Sequence, residues 1–143
     1  MAMYDPQLVE PMRVELRDLG VVELITSSDV DAFVSQGGVQ AIFVNSVCGC
    51  AAGGARPGLA QAIEAGLDPS KIGMVFAGME TEAVEQARKL WSDWPPSSPQ
   101  FGILRDGKAL GVIQRHEIET SGAAEIAQSL TGAFSSQAES ATS

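Results

Sequence analysis

At the centre of the chain lies the sequence AIFVNSVCGCAA, residues 41–52. Its first part, Ala41 to Val44, is continuously apolar, which is typical of a central strand covered on both faces. Two cysteines separated by one glycine follow, and beyond Ala51 the apolar residues recur every four positions, as on one face of a helix. The pattern predicts a buried strand that leads into a Cys48-Gly49-Cys50 motif at the start of a helix.

The residues before this stretch predict two helices and a short strand. Pro11 suits the first position of the first helix, although Asp5-Pro6 could start an earlier turn. Residues 21–25 are typical of a strand. Ser28, with Asp31 three residues later, resembles a capping box that opens the second helix.

The residues after the motif complete an α/β pattern. They predict, in chain order, a helix over residues 51–65, a strand over 71–76, a helix over 81–91, a hairpin of residues 101–104 and 110–113, and a final helix near 122–130. This order predicts a thioredoxin-like topology: a central mixed β-sheet flanked by helices, with an additional N-terminal helix. We expect a single domain over residues 1–134 and a flexible C-terminal tail over residues 135–143.

The composition narrows the class of protein. The 143 residues suit one packed domain, and 45% of them are hydrophobic. A formal charge of −9 disfavours nucleic acid and anionic membrane surfaces as partners. Apolar stretches are much shorter than the roughly 18 residues of a membrane-spanning helix, and the acidic, proline-containing N-terminus is unlike a secretory signal. We therefore expect a cytoplasmic protein without a membrane segment.

The Cys48-Gly49-Cys50 motif predicts thiol redox chemistry. A helix N-terminus stabilises a thiolate through its unsatisfied N–H groups, and Cys48 is expected at such a point. In an extended chain the Cα atoms of Cys48 and Cys50 would be about 7 Å apart, near the upper limit for a disulfide. Gly49 permits the tight backbone that closes the ring. The disulfide is expected to be strained and easily reduced, which favours exchange over a permanent cross-link.

Two other interpretations of the cysteines stay open. They can be small buried residues that have no chemical role. They can also bind a metal, but structural zinc takes four ligands and the sequence adds only His116. A metal site would therefore need the paired cysteines of a second subunit. The glycine-rich run after Cys50 lacks the lysine and hydroxyl residue of a phosphate-binding loop.

Three further residues are candidates for the site. Arg56 is expected either near the thiolate or an anionic substrate, or as a solvated arginine on a helix surface. Pro99 directly precedes a strand and is either a cis proline in a tight connection or an ordinary loop proline. His116 is either a proton donor or a cap of the turn that follows the hairpin.

The residues around the motif resemble those of the bacilliredoxin family. The resemblance rests on residues 44–51 and on Ala55-Arg56-Pro57, and it covers nearly the whole chain. Its other segments are Tyr4-Asp5-Pro6, Pro11-Met12-Arg13, Pro95-Pro96-Ser97-Ser98-Pro99 and Arg115-His116-Glu117-Ile118-Glu119. Thr120 departs from the pattern, because the family has glycine at this position.

The resemblance implies a thioredoxin-like thiol-disulfide oxidoreductase that removes bacillithiol from mixed disulfides on proteins. Cys48 would attack the mixed disulfide, and Cys50 could resolve the adduct. Pro99 would correspond to the cis proline that faces the redox motif. The resemblance implies no bound cofactor; bacillithiol would be a thiol co-substrate, and a bacillithiol disulfide reductase would complete the cycle.

Two alternatives to this function remain. A general protein disulfide isomerase or reductase would use the same cysteines, with a protein chain rather than bacillithiol on Cys48. A non-catalytic metal-binding module would use paired cysteines at a subunit interface, so a second copy of this chain is a candidate partner in a homodimer.

Overall fold

The computed structural model describes residues 5–47 and 51–142, which form one mixed β-sheet with helices on both faces. The strands are β1 (Val22–Glu23), β2 (Val39–Asn45), β3 (Ile72–Phe76), β4 (Gln100–Arg105) and β5 (Lys108–Ile113). The helices are α1 (Pro6–Arg17), α2 (Ser27–Val34), α3 (Arg56–Glu64), α4 (Thr81–Lys89), α5 (Arg115–Glu119) and α6 (Ala123–Thr142). A π-helical turn, Ala51–Ala55, precedes α3.

The sheet has the strand order β1-β3-β2-β4-β5, with β2 at its centre. β2 runs parallel to β3 and antiparallel to β4. β4 and β5 form the predicted hairpin, and its Asp106-Gly107 turn has φ values of 49° and 82°, the left-handed conformation that a tight two-residue turn requires. The predicted fold, a mixed sheet flanked by helices with an additional N-terminal helix, is confirmed.

The two faces of β2 belong to two separate cores, as side chains alternate along a strand. Ala41 and Phe43 face the core that α1, α3, α5 and α6 cover, where the Phe43 ring stacks on Phe101 with centroids 4.5 Å apart. Ile42 and Val44 face the core that α2 and α4 cover. Burial on both faces explains the continuously apolar sequence of this strand.

The first helix begins earlier than Pro11. The side chain of Asp5 accepts a hydrogen bond from the amide of Gln7, and Pro6 occupies the first helical position, where proline loses nothing by lacking an N–H group. Pro11 lies inside α1. The prediction that Pro11 starts the helix is therefore wrong, and the alternative start at Asp5-Pro6 is confirmed.

The capping box of α2 begins two residues before the predicted one. The hydroxyl of Thr26 accepts a hydrogen bond from the amide of Asp29, and the Asp29 carboxylate accepts one from the amide of Thr26. Hydrogen bonds from the amides of Ile25 and Thr26 lower the pKa of Asp29. The predicted pair, Ser28 and Asp31, lies within the helix instead.

A short helix after the hairpin, α5, was not predicted. At its start the amide of Gln114 donates to the Glu117 carboxylate at 2.9 Å, and the amide of Glu117 donates to the backbone carbonyl of Gln114 at 3.0 Å. Thr120 ends it in a right-handed helical conformation with φ of −95°, and its hydroxyl donates a hydrogen bond to the carbonyl of His116. Because this backbone conformation is open to every residue type, threonine fits here without the conformational freedom of glycine.

The last helix is longer than the sequence pattern predicted. α6 packs on α3 and the central sheet through Ile126 and Leu130, both buried. Its backbone remains helical over residues 135–142, the segment predicted as a flexible tail; the domain boundary at residue 134 stays a prediction. No helix among the described residues is long and apolar enough to span a bilayer.

Candidate functional site

The three residues of the motif, Cys48, Gly49 and Cys50, lie outside the described residues, whereas the chain on both sides of them is described. On one side β2 ends at Asn45. On the other side the chain resumes with the π-helical turn and continues into α3, so the single helix predicted over residues 51–65 is divided in two. Pro57 lies in the first turn of α3, where proline is tolerated because its missing N–H group would have no partner within the helix.

Arg56, the first residue of α3, is buried and reaches back to the end of β2. Its Nη1 atom donates to the side-chain oxygen of Asn45 at 3.0 Å and to the backbone oxygen of Ser46 at 2.9 Å. Its Nε atom donates to the carboxylate of Glu15 at 3.2 Å. Only 4% of Arg56 is exposed, so the alternative of a solvated arginine is wrong.

Asn45 connects three elements at this end of the sheet. Its side-chain oxygen accepts hydrogen bonds from Arg56 and from the amide of Ser46. Its side-chain nitrogen lies 3.4 Å from the carbonyl oxygen of Met12 on α1. Because a buried amide is stable only with its hydrogen bonds made, this set of partners fixes the direction in which the chain leaves β2.

A second arginine holds α1 against the chain segment that follows β3. Arg13 is 8% exposed, and both of its Nη atoms donate to the carboxylate of Glu80, with Nη1 at 2.8 Å. Its guanidinium lies 5.1 Å from the ring centroid of Phe76. The hydrogen bonds to Glu80 raise the pKa of Arg13. Neither this pair nor the role of Asn45 was predicted from the sequence.

Pro99 lies at the same end of the sheet as the end of β2. It directly precedes β4, where Gln100 pairs with Val44. The Ser98–Pro99 peptide bond is cis, which was the conformation implied by the family resemblance, and Pro99 is buried.

Two buried glutamines fix the segment before Pro99. The side-chain nitrogens of Gln100 and Gln114 both donate to the carbonyl of Pro95, at 3.2 and 3.0 Å, and Gln100 also donates to Gln114 at 2.9 Å. Arg88 donates to the carbonyl of Ser97 at 2.7 Å, and burial lowers the pKa of Arg88. The loop is therefore held by amide and guanidinium donors rather than by apolar packing alone.

The remaining sequence candidates lie outside this hydrogen-bonded set. His116 is exposed on α5, and its backbone carbonyl accepts a hydrogen bond from the hydroxyl of Thr120.

No group of three potential metal-binding side chains occurs among residues 5–47 and 51–142. A cavity of about 580 Å³ lies at the opposite end of β2, lined in part by Val39, Lys71 and Phe134.

The fold is that of the thioredoxins. The thioredoxin of Fasciola hepatica matches with a TM-score of 0.55 at 18% identity, over 82% of this chain and 99% of that one. The oxidised thioredoxin of Plasmodium falciparum matches with a TM-score of 0.54 at 18% identity, over 80% of this chain and 97% of that one. This fold, together with the match of residues 4–138 to the family model described as Disulphide isomerase, defines a thiol-disulfide oxidoreductase of the thioredoxin fold.

Sequence comparison identifies the family within this class. Residues 4–138 match the family model described as Disulphide isomerase. A bacilliredoxin of Cytophaga hutchinsonii is 45% identical over 128 residues, which cover 90% of this chain and 95% of that protein. A bacilliredoxin of Salinibacter ruber is 46% identical over 134 residues, which cover 92% and 79% of the two chains. The chain belongs to the bacilliredoxin family.

Proposed function

We propose that this oxidoreductase removes bacillithiol from mixed disulfides on proteins, with Cys48 as the attacking thiol and Cys50 as the resolving thiol. The observation that carries the proposal is the position of the motif in the chain. The Cys-Gly-Cys sequence stands between a buried central strand and a partly buried helical turn, in a member of the bacilliredoxin family. A thiol in such a connection is the usual nucleophile of a thioredoxin-type fold.

The first step is a thiol-disulfide exchange. The thiolate of Cys48 attacks the bacillithiol sulfur of the mixed disulfide, a new disulfide forms between Cys48 and bacillithiol, and the protein thiolate leaves with the electron pair of the broken bond. A proton from solvent then neutralises the protein thiolate. No external oxidant or reductant is consumed in this step.

The second step releases bacillithiol. The thiolate of Cys50 attacks Cys48, which yields an internal disulfide and free bacillithiol. Alternatively a second bacillithiol attacks the adduct and leaves as the oxidised bacillithiol dimer. Either product must be reduced by two electrons, and we propose a bacillithiol disulfide reductase as their source in the second case.

Gly49 and Pro99 complete the proposed site. Glycine between the cysteines permits the tight ring of an internal disulfide. We propose that Pro99 faces the motif. In support of this, Pro99 directly precedes β4 and lies beside the end of β2. The partners are bacillithiolated proteins, and we propose that the reaction takes place in the cytoplasm, where protein thiols are kept reduced.

A second candidate is a general disulfide isomerase or reductase. The description of the matching family model, Disulphide isomerase, favours it. The two functions share the same cysteines and the same exchange chemistry. They differ in the group that occupies Cys48 in the intermediate, which is bacillithiol in one case and a protein chain in the other.

Mass spectrometry of trapped intermediates separates these functions. The wild type, Cys48→Ser and Cys50→Ser are each mixed with a model protein that carries a bacillithiol mixed disulfide. We expect Cys50→Ser to accumulate a bacillithiol adduct on Cys48 and to release the model protein as a free thiol. Cys48→Ser, which keeps the second cysteine, is the matched control and should release little or none.

Other products of the same experiment would change the conclusion. A protein–protein disulfide on Cys48 would favour the isomerase or reductase. Release by Cys48→Ser at the wild-type rate would exchange the roles of the two cysteines. Absence of any reaction, together with a stoichiometric metal lost on substitution of either cysteine, would favour the metal-binding module.

A further inference from the structure

The burial of Arg56 at the end of β2 has no explanation in the proposed exchange steps. Its guanidinium is a permanent charge, and a buried charge is costly unless it is paired and hydrogen bonded. Two of the three hydrogen bonds that Arg56 donates go to neutral oxygens, those of Asn45 and Ser46. The third goes to Glu15, whose side chain is 46% exposed. The positive charge of Arg56 is thus only partly compensated among the described residues.

We propose that Arg56 is a positioning residue that favours the thiolate of Cys48, by its charge and by its hydrogen bond to the chain two residues before that cysteine. This inference rests on the proposed role of Cys48 as the attacking thiol. It assigns Arg56 an electrostatic part in the reaction rather than a contact with the reacting sulfur.

Covalent geometry limits how far the charge can lie from the cysteine. Ser46 and Cys48 are joined by two peptide units, which span at most about 7 Å whatever their conformation. The guanidinium donates directly to the carbonyl of Ser46 at 2.9 Å. Because Arg56 is almost completely buried, solvent screens its charge less than it would on a helix surface.

The charged groups packed around Arg56 do not cancel its positive charge. On α1, Arg13 is paired with Glu80, so these two charges largely cancel. On α5 and α6 the residues that face the turn before α3 are the apolar Ile118 and Ile126. Glu15 is the one carboxylate bonded to Arg56 among the described residues, and its negative charge acts in the opposite sense.

The test uses the pH dependence of alkylation. The rate at which iodoacetamide labels Cys48 is measured in a Cys50→Ser background from pH 4 to pH 10, with the labelled residue identified by mass spectrometry. A nearby cation stabilises the thiolate and lowers the thiol pKa. We expect Arg56→Met to move the midpoint to higher pH and to slow labelling at pH 7 about tenfold, a typical effect of one charge in a partly buried site.

Three further variants separate charge from structure. Arg56→Lys keeps the charge and should retain most of the wild-type rate at pH 7. Glu15→Gln removes the opposing charge from an exposed position, and its midpoint should move to lower pH, with labelling at pH 7 about twofold faster. Arg13→Met combined with Glu80→Gln is the matched control, since it removes a buried arginine together with the carboxylate that neutralises it, and its midpoint should stay at the wild-type value.

The outcomes distinguish this inference from the proposed function. If the Cys50→Ser variant forms the bacillithiol adduct on Cys48 but adding Arg56→Met leaves its titration midpoint unchanged, the role of Arg56 is overturned and the function stands. Equal upward shifts for Arg56→Met and for the Arg13→Met/Glu80→Gln control would also overturn it, because they would reflect loosened packing. If Cys48 forms no adduct in the Cys50→Ser variant, the proposed function fails by itself.

Discussion

At the scale of single residues, close packing determines which positions accept no side chain. Gly102 lies on β4 directly below the indole ring of Trp91. A Cβ atom at Gly102 would be 2.3 Å from two ring atoms, far closer than carbon atoms approach. Since Trp91 is only 1% exposed, its ring has no solvent-filled space into which it can move.

We predict that Gly102→Ala destabilises the protein by about 2–3 kcal/mol, the range typical of an overpacked core. The measurement is the midpoint of urea unfolding together with its slope. Gly111→Ala is the control, because Gly111 lies opposite Ile103 on the neighbouring strand and a Cβ atom there meets nothing within 4 Å. Similar stabilities for the two variants would contradict this account of the packing of Trp91.

At the scale of elements, α1 is attached to the sheet by polar as well as apolar contacts. Val9 and Leu16 are buried, while Arg13 and Glu15 reach two different segments at the end of the sheet near the motif. An amphipathic helix docked by its apolar face alone would have fewer constraints on its orientation. The two ion pairs therefore orient α1 relative to α3 and to the chain after β3.

We predict that Glu80→Gln lowers the free energy of unfolding by about 2 kcal/mol, because it weakens charge-assisted hydrogen bonds to a nearly buried guanidinium. Glu119→Gln removes an exposed carboxylate that pairs with Arg115 within one helix turn, and we expect a change below about 0.5 kcal/mol. Thermal unfolding of both variants under the same conditions tests the difference. Equal effects would mean that burial of the Arg13–Glu80 pair adds nothing.

At the scale of the whole molecule, α6 closes one side of the fold. It packs on α3 so closely that a Cβ atom at Gly58 would lie 2.7 Å from the side chain of Ile126. Ile126 and Leu130 complete the core that also contains Phe43 of the central strand. Part of the last helix is therefore integral to the domain rather than an appendage of it.

We predict that a chain ending after residue 134 keeps the fold, whereas a chain ending after residue 125 does not. The shorter chain loses two fully buried aliphatic side chains, Ile126 and Leu130, each of which contributes about 2 kcal/mol. Such a loss is a large fraction of the stability of an ordinary domain. Circular dichroism and urea unfolding of both chains provide the measurement, and unfolding of the longer chain would place the domain boundary beyond residue 134.

Much of the architecture follows from local sequence. The apolar run of β2 and the Asp-Gly turn of the hairpin predict their elements because strand burial and left-handed turns are short-range properties. The starts of the helices follow less directly from local sequence. Thr26 and Ser28 are two hydroxyl residues, each followed three positions later by an aspartate, and only the assembled helix shows which pair forms the capping box.

The sequence by itself determined the α/β fold and the expectation of thiol chemistry at Cys48-Gly49-Cys50. It left Arg56 as either a surface residue or a neighbour of the site, because its partner Glu15 is 41 positions away along the chain. Tertiary structure decided that Arg56 is buried and bound to the end of β2. The physical reason is that periodicity and turn chemistry depend on adjacent residues, whereas the burial and pairing of a charge depend on which distant segments the fold brings together.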